Sequence, residues 1–195
     1  MIQLPASSVA VGIGGSQAAV DVPTDDRHAD LARAKLLDGR VVSLRCLDAE
    51  DADAVLALHQ NLPDGDRDFR FLTLSPVDLP RLASALTTPD ANSSAIGAFD
   101  KGCLIGAAIY AISDDPRAGA LAIVIARDDH QRGVSAALLR HLGHLSRRHG
   151  LQRLVTDVLS TNRLMFTALS DAGWPYRGIT HGAITHLEID LAAAV

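Results

Sequence analysis

The chain has little of what marks an extracellular, metal-bound or nucleic-acid-bound protein. Cysteine occurs only at Cys46 and Cys103, far apart in sequence. That spacing suits neither a zinc site nor a disulfide scaffold, so two buried free thiols and a reducing, cytoplasmic compartment are expected. No apolar run approaches the roughly 18 residues of a membrane span. No basic cluster precedes the first apolar residues, so a secretory signal is not expected. Basic residues do not dominate: 18 Lys and Arg against 23 Asp and Glu leave a net charge of −5. No general affinity for nucleic acid follows from that balance. Two phosphate-loop signatures are missing as well. Without Gly-Lys-Ser/Thr a Walker loop is excluded, and without GxGxxG a Rossmann dinucleotide site has no support.

What is present suits one sizeable core, since 48% of 195 residues are hydrophobic. Residues 1–30 are dominated by Ser, Ala, Gly and Asp, with Gly12, Gly14, Gly15 and Ser16 close together, and read as a flexible tail. The folded domain is expected over about residues 36–191.

The stretch that organises this domain runs from Leu121 to Leu142. Leu121 to Ala126 is an apolar run of strand length, and Arg127 to Arg132 is a charged elbow. A helix follows, with Val134, Leu138, Leu142 and Leu145 on one face and Arg147, Arg148 and His149 before Gly150. Its first turn is built from Gly133, Ser135, Ala136 and Ala137. Small residues at a helix start, directly after a buried strand, let free backbone N–H groups approach a phosphate or pyrophosphate.

Elsewhere, Val41 to Leu47 reads as a strand, and Asp48 caps a helix that turns Ala52, Val55, Leu58 and Leu62 inward. After the break at Pro63 to Asp66, Asp68 to Leu72 is a short helix or an extended segment, and Asp78 to Leu86 is a short helix. Ala95 to Phe99 and Cys103 to Ile112 flank the turn Asp100-Lys101-Gly102 as an antiparallel hairpin. Leu154 to Leu159, coming after a helix, should run parallel to the strand at Leu121. Asn162 starts a helix with Met165, Ala168, Leu169 and Ala172 on one face, ended by Gly173. Tyr176 to Ile179 and Ala183 to Ile189 close the chain as a hairpin. The order β-α-α-β-β-β-α-β-α-β-β defines a mixed α/β class.

That order resembles the GNAT superfamily of N-acetyltransferases, and three segments carry the resemblance. His130-Gln131-Arg132-Gly133-Val134-Ser135 is similar to the family's Q/R-x-x-G-x-G/A motif, with Gly133 kept and His130 and Ser135 standing at the other fixed positions. Asn162-Arg163-Leu164-Met165 with Leu169 and Gly173-Trp174 resembles N-x-x-M/A…L…G-F. Leu37-Asp38-Gly39-Arg40 with Leu44-Arg45 and Asp66 to Leu72 resembles a signature of the bacterial Pat-type protein lysine acetyltransferases.

The resemblance implies a single GNAT domain that takes acetyl-CoA as co-substrate and acetylates an amine, with a protein lysine as the Pat-like acceptor. The charge balance, the lack of a long apolar run and the lack of metal-ligand spacing add the expectations of no nucleic acid, no membrane and no metal, for a chain expected as a monomer or homodimer. The resemblance places the CoA pyrophosphate on the N–H groups from Gln131 to Ala136, near His130, with Arg132, Gly133, Val134 and Ser135 among its neighbours. It lays the pantetheine arm along Ile123, Val124 and Ile125 and brings Asn162 to that arm, where the residues alone also allow a helix N-cap.

Two catalytic positions depart from the family. The glutamate of Pat-type enzymes falls at Ala120, and the tyrosine of many other members falls at Leu169. Asp157 is the candidate substitute, unless it pairs only with Arg153 or a capping N–H. Asp114 and Asp115 read as solvent-exposed loop acids, and His141, His144 and His149 as a solvated helix face. His181 and His186 lie on the last hairpin, where acceptors approach in this family. The substitutions also leave open a competing reading, a regulatory or scaffolding module that binds acetyl-CoA without efficient turnover.

Overall fold

The computed structural model describes residues 32–62, 79–88, 90, 92–112, 115–126, 129 and 133–193. Among these the chain runs β1 (Ala32–Lys35), β2 (Val41–Cys46), α1 (Ala52–Gln60), α2 (Leu79–Thr87), β3 (Ser93–Asp100) and β4 (Cys103–Ile112). It continues through β5 (Ala118–Ile125), α3 (Val134–Arg148), β6 (Arg153–Leu159), α4 (Arg163–Ala172), β7 (Tyr176–His181) and β8 (Ile184–Asp190). The mixed α/β class is as expected, with one strand more. β1 lies ahead of the boundary expected at residue 36 and pairs antiparallel with β2, Ala34 opposite Val42. The expected tail and the segments at 63–66 and 68–72 lie outside the described residues.

The strands form one sheet in the order β1-β2-β3-β4-β5-β6-β8-β7. β5 and β6 are parallel, and every other neighbouring pair is antiparallel. Strand alternation divides its side chains between two apolar layers. On one face Val134, Leu138 and Leu142 of α3, with Met165 and Leu169 of α4, pack on Leu44, Ile96, Tyr110, Leu121, Leu154 and Leu187. On the other face Val55 and Leu58 of α1, with Ala83 and Leu86 of α2, pack on Leu47, Phe99, Ala107 and Val124.

The entry to α1 is fixed by polar groups. Asp48 accepts the Glu50 N–H while Asp51 accepts the Asp48 N–H, a reciprocal cap on a short 3-10 turn over Ala49–Asp51. Arg45 adds a bidentate pair with Asp51, at 2.7 and 2.6 Å, and stacks on the Phe99 ring. α1 packs on β4 and α2 on β3. Among the described residues, the β6-β8-β7 end of that face is left open, and Asp157, His186, Glu188 and Arg177 are exposed on it.

One expectation about the thiols is corrected. Cys103 is exposed rather than buried, because it is the first residue of β4 after the turn, opposite Asp100 at the hairpin end. Cys46 is half-buried, and that burial pushes its thiol pKa up. Both are free.

Candidate active site

The parallel seam of the sheet is short. β5 pairs with β6 at Ala118↔Arg153, Gly119↔Leu154 and Ala120↔Val155, and goes no further. Both strands continue, to Ile125 and Leu159, so they part beyond Ala120 and Val155. β5 stays paired with β4 as far as Ile125, and Ala126 donates its N–H to the Ile105 carbonyl at 2.8 Å. Alternation therefore turns the backbone groups of Leu121 and Ile123 toward the opening on the β6 side.

The chain leaves β5 at this opening and enters α3. Gly133 is the N-cap of that helix, with φ +87°, a left-handed conformation that costs most side chains about 1–2 kcal/mol. The first intrahelical bond at this end runs from the Ala137 N–H to the Gly133 carbonyl, at 3.1 Å. The N–H groups of Val134, Ser135 and Ala136 thus precede the ladder, and a glycine cap has no side chain to accept them. They point along the positive end of the helix dipole, an arrangement suited to an anion. His130, Gln131 and Arg132 lie outside the described residues.

A residue missed in the sequence holds the elbow. Asp129 is only 7% exposed and pairs with Arg40, which also binds Asp38 at 2.8 Å and Asp100 at 2.5 Å. The three carboxylates push the Arg40 pKa up, Asp129 most of all. One guanidinium thus joins the β1–β2 turn, the β3–β4 turn and the elbow, and balances a carboxylate that would otherwise repel a phosphate nearby. The signal was inside the Leu37-Asp38-Gly39-Arg40 segment, but nothing local pointed to a partner at Asp129. A mainly apolar cavity of about 390 Å³, lined by Ala54, Ala57, Leu58, Asn61, Leu104 and Ala126, also borders Asp129.

Asn162 is the N-cap of α4, and its Oδ1 accepts the Met165 N–H at 3.1 Å. Asp157 does not meet Arg153. It is exposed and bonded across the strands to His186, Oδ1 to Nδ1 at 2.7 Å. Arg153 instead pairs with Asp115 at 2.5 Å. Asp115 is the partly exposed loop acid expected, but it is paired rather than left to solvent alone. It accepts the Arg117 N–H at 2.9 Å, and chiefly this bond holds its carboxyl below the usual carboxylate range. Asp114 lies outside the described residues.

His144 and His149, the latter just past α3, are exposed as a solvated face implies, and His141 is half-buried, but each of the three has a partner. His141 Nδ1 lies 2.8 Å from the Ala137 carbonyl, His144 sits edge-on to Trp174, and His149 Nδ1 meets the Tyr110 hydroxyl. Burial lowers the pKa values of His144 and His149. Ala120 sits between Ala111 and Val155 in the sheet, Leu169 is wholly buried, and His181 is exposed at the end of β7. Among the described residues no three His, Cys, Asp or Glu side chains cluster as a metal site would require.

A mixed sheet that parts between two parallel strands, beside a glycine-capped helix, defines an acyltransferase fold, and solved structures of that class match it. The GNAT domain of S. lividans PAT superposes with a TM-score of 0.72, at 23% identity, over 82% of this chain and 96% of that one. Mycobacterium smegmatis RimJ in complex with CoA-disulfide gives a TM-score of 0.61 at 17% identity, covering 81% of this chain and 84% of that one. A cAMP-binding acyltransferase from Mycobacterium smegmatis gives 0.56 at 16% identity, and there the match covers 82% of this chain but only 46% of the other. Identities this low carry the fold alone. No curated protein matches the sequence. Residues 63–165, just over half of the chain, match the Acetyltransferase (GNAT) family, and the chain belongs to it.

Proposed function

We propose that the protein transfers an acetyl group from acetyl-CoA to an amine, with a protein lysine as the acceptor that its Pat-like segments favour. The observation that carries this reading is the parting of β5 from β6 beyond Ala120 and Val155, in line with the Gly133-headed α3. The pyrophosphate would rest on the N–H groups of Gly133, Val134, Ser135 and Ala136, continued through His130, Gln131 and Arg132. Gly133 lets backbone and phosphate meet without an intervening Cβ. The pantetheine arm would lie along Ile123, Val124 and Ile125. Asn162 can serve its two roles with two atoms, since the cap uses Oδ1 and the Nδ2 amide is the donor for the arm.

The chemistry asks for a neutral amine and a stabilised oxyanion. A free lysine titrates at about 10.4, so the bound ammonium must lose a proton to a positioned base. A backbone N–H of β5 facing the opening supplies the oxyanion donor. Neither Ala120 nor Leu169 can exchange a proton, which leaves Asp157, directly or through the His186 ring bonded to it, as the candidate for the base.

The same two residues favour a second reading, an acetyl-CoA-binding module of weak turnover. Release of free CoA from acetyl-CoA with a lysine peptide separates the two. Turnover above the amine-free rate is expected, whereas bound acetyl-CoA with no added release would establish the module.

A further inference from the structure

We propose that His186, oriented by Asp157, is the proton acceptor of the transfer, set on the open strip of the sheet on β8, one strand beyond the β6 edge of the β5–β6 opening. The inference rests on the acetyl-transfer reading above and assigns the base within it.

Position carries the first part. Val155 is the last β6 residue paired with β5, and Asp157 lies two residues further, about 6.6 Å along the strand. Residues two apart share a face, so Asp157 stands on the side of Ala120 and Ala122, where the strands have just parted. A ligand arm entering at Gly133 and running down the opening ends at that vertex. The floor there is built from small side chains, Ala111 opposite Ala120 and Ala122 next along β5. Among the described residues, space is thereby left at the end of this face that α1 and α2 do not cover.

Chemistry carries the second. His186 faces Asp157 directly across the β6–β8 ladder, with Nδ1 and Oδ1 2.7 Å apart. A carboxylate only accepts, so Nδ1 carries the hydrogen and the neutral ring keeps its lone pair on Nε2. The other neighbours are Ile179 across β7, 61% exposed, and Glu188 two residues along β8, itself opposite Val155 and Arg177. Arg177 offsets Glu188, which it faces, and Asp157 is left as the negative group that suits an approaching ammonium.

Nε2 takes one proton from the ammonium, and the freed nitrogen pair attacks the thioester carbonyl carbon. The C–N bond forms as the carbonyl π pair moves to oxygen. The pair then returns, the C–S bond breaks, and the departing thiolate takes a second proton from the nitrogen to leave as CoA–SH. The product is the amide, and His186 passes the first proton to water. Asp157 touches no reacting atom in this scheme and is a positioning residue.

The test uses the full chain, acetyl-CoA and an N-terminally blocked lysine peptide, with free CoA measured. His186→Ala should lower kcat by about 10²-fold or more, leave the KM for acetyl-CoA unchanged, and regain activity with added imidazole. His186→Gln, which keeps a donor toward Asp157, should be as slow as the alanine variant. Asp157→Asn should lower kcat as well, because an amide can turn the ring and misplace the lone pair. A wild-type kcat in His186→Ala would overturn the assignment and leave acetyl transfer standing. So would a loss that imidazole does not restore and that shows in the peptide KM instead. Bound acetyl-CoA with no release by the wild-type protein would overturn the transfer reading, and this assignment with it.

Discussion

Gly143 stands in the middle of α3, where alanine is ordinarily better by about 1 kcal/mol. Here the substitution should destabilise. A Cβ at this position would lie 2.4 Å from Cε2, 2.5 Å from Cζ2 and 2.6 Å from Nε1 of Trp174. The indole is a rigid ring, only 5% exposed, so α3 and the Trp174 segment that follows α4 must separate to admit the methyl. Overpacking of this kind costs about 1–3 kcal/mol, and contacts so short belong at the top of that range. After the helix-propensity gain, Gly143→Ala should lose about 1–2 kcal/mol, or roughly 2–8 °C in Tm at 2–4 °C per kcal/mol. Thermal melts of Gly143→Ala, Trp174→Ala and the double variant would locate the cause. Trp174→Ala should cost less in the Gly143→Ala background than in the wild type, because the methyl then has room. A higher Tm for Gly143→Ala, or strictly additive losses, would refute the seating of Trp174 on α3.

Arg40→Ala should weaken acetyl-CoA binding by roughly two- to thirty-fold, measured by titration calorimetry, because the elbow loses its tie through Asp129 to both turns. An unchanged affinity would show that the elbow holds its shape without Arg40. Stability should fall on acidification from pH 7.5 to 5.5. His144 and His149 have folded pKa values lowered from 6.5, so their contribution is complete above 6.5 and is lost as pH falls through the lower folded values. Urea melts across that window should flatten in the double variant His144→Gln/His149→Gln, and an equal slope would contradict the origin given. Ala120→Glu should raise acetylation of a lysine peptide by up to about 10²-fold, since Ala120 shares a sheet face with Asp157. A rate below that of the wild type would show that the carboxylate does not reach the amine.

Much of the fold was legible because its signals were local. Val134, Leu138 and Leu142 repeat at helical spacing, and all three are fully buried. Gly133, Gly150 and Gly173 mark helix ends by type and position, and each is left-handed. β1 was missed because Ala-Arg-Ala-Lys alternates only small alanines with charges over four residues, too short and too weakly apolar a pattern to mark a strand. It forms at the edge through hydrogen bonds to β2, which leave no compositional trace. The site was harder to read. Arg40 and Asp129 are 89 residues apart, and only the fold brings them together. Asp157 looked close to Arg153, yet four residues along a strand span about 13 Å, too far for an ion pair. Its actual partner, His186, depends on β8 rather than β7 pairing with β6, an inversion of strand order that sequence neighbours do not reveal.

The central claim is that acetyl-CoA sits at the head of α3. Thermal melts of the wild-type chain and of Gly133→Glu, each with and without acetyl-CoA, test it most directly. Among the described residues the Gly133 Cβ position has only Leu37 within reach, at 3.5 Å, so the change adds φ strain rather than a clash with them. The ligand-induced rise, not the absolute Tm, is therefore the quantity to compare. At 100 times Kd, acetyl-CoA should stabilise the wild type by about 2.7 kcal/mol, while Gly133→Glu, with a carboxylate in the phosphate position, should show no rise. An equal rise in both proteins would contradict the account.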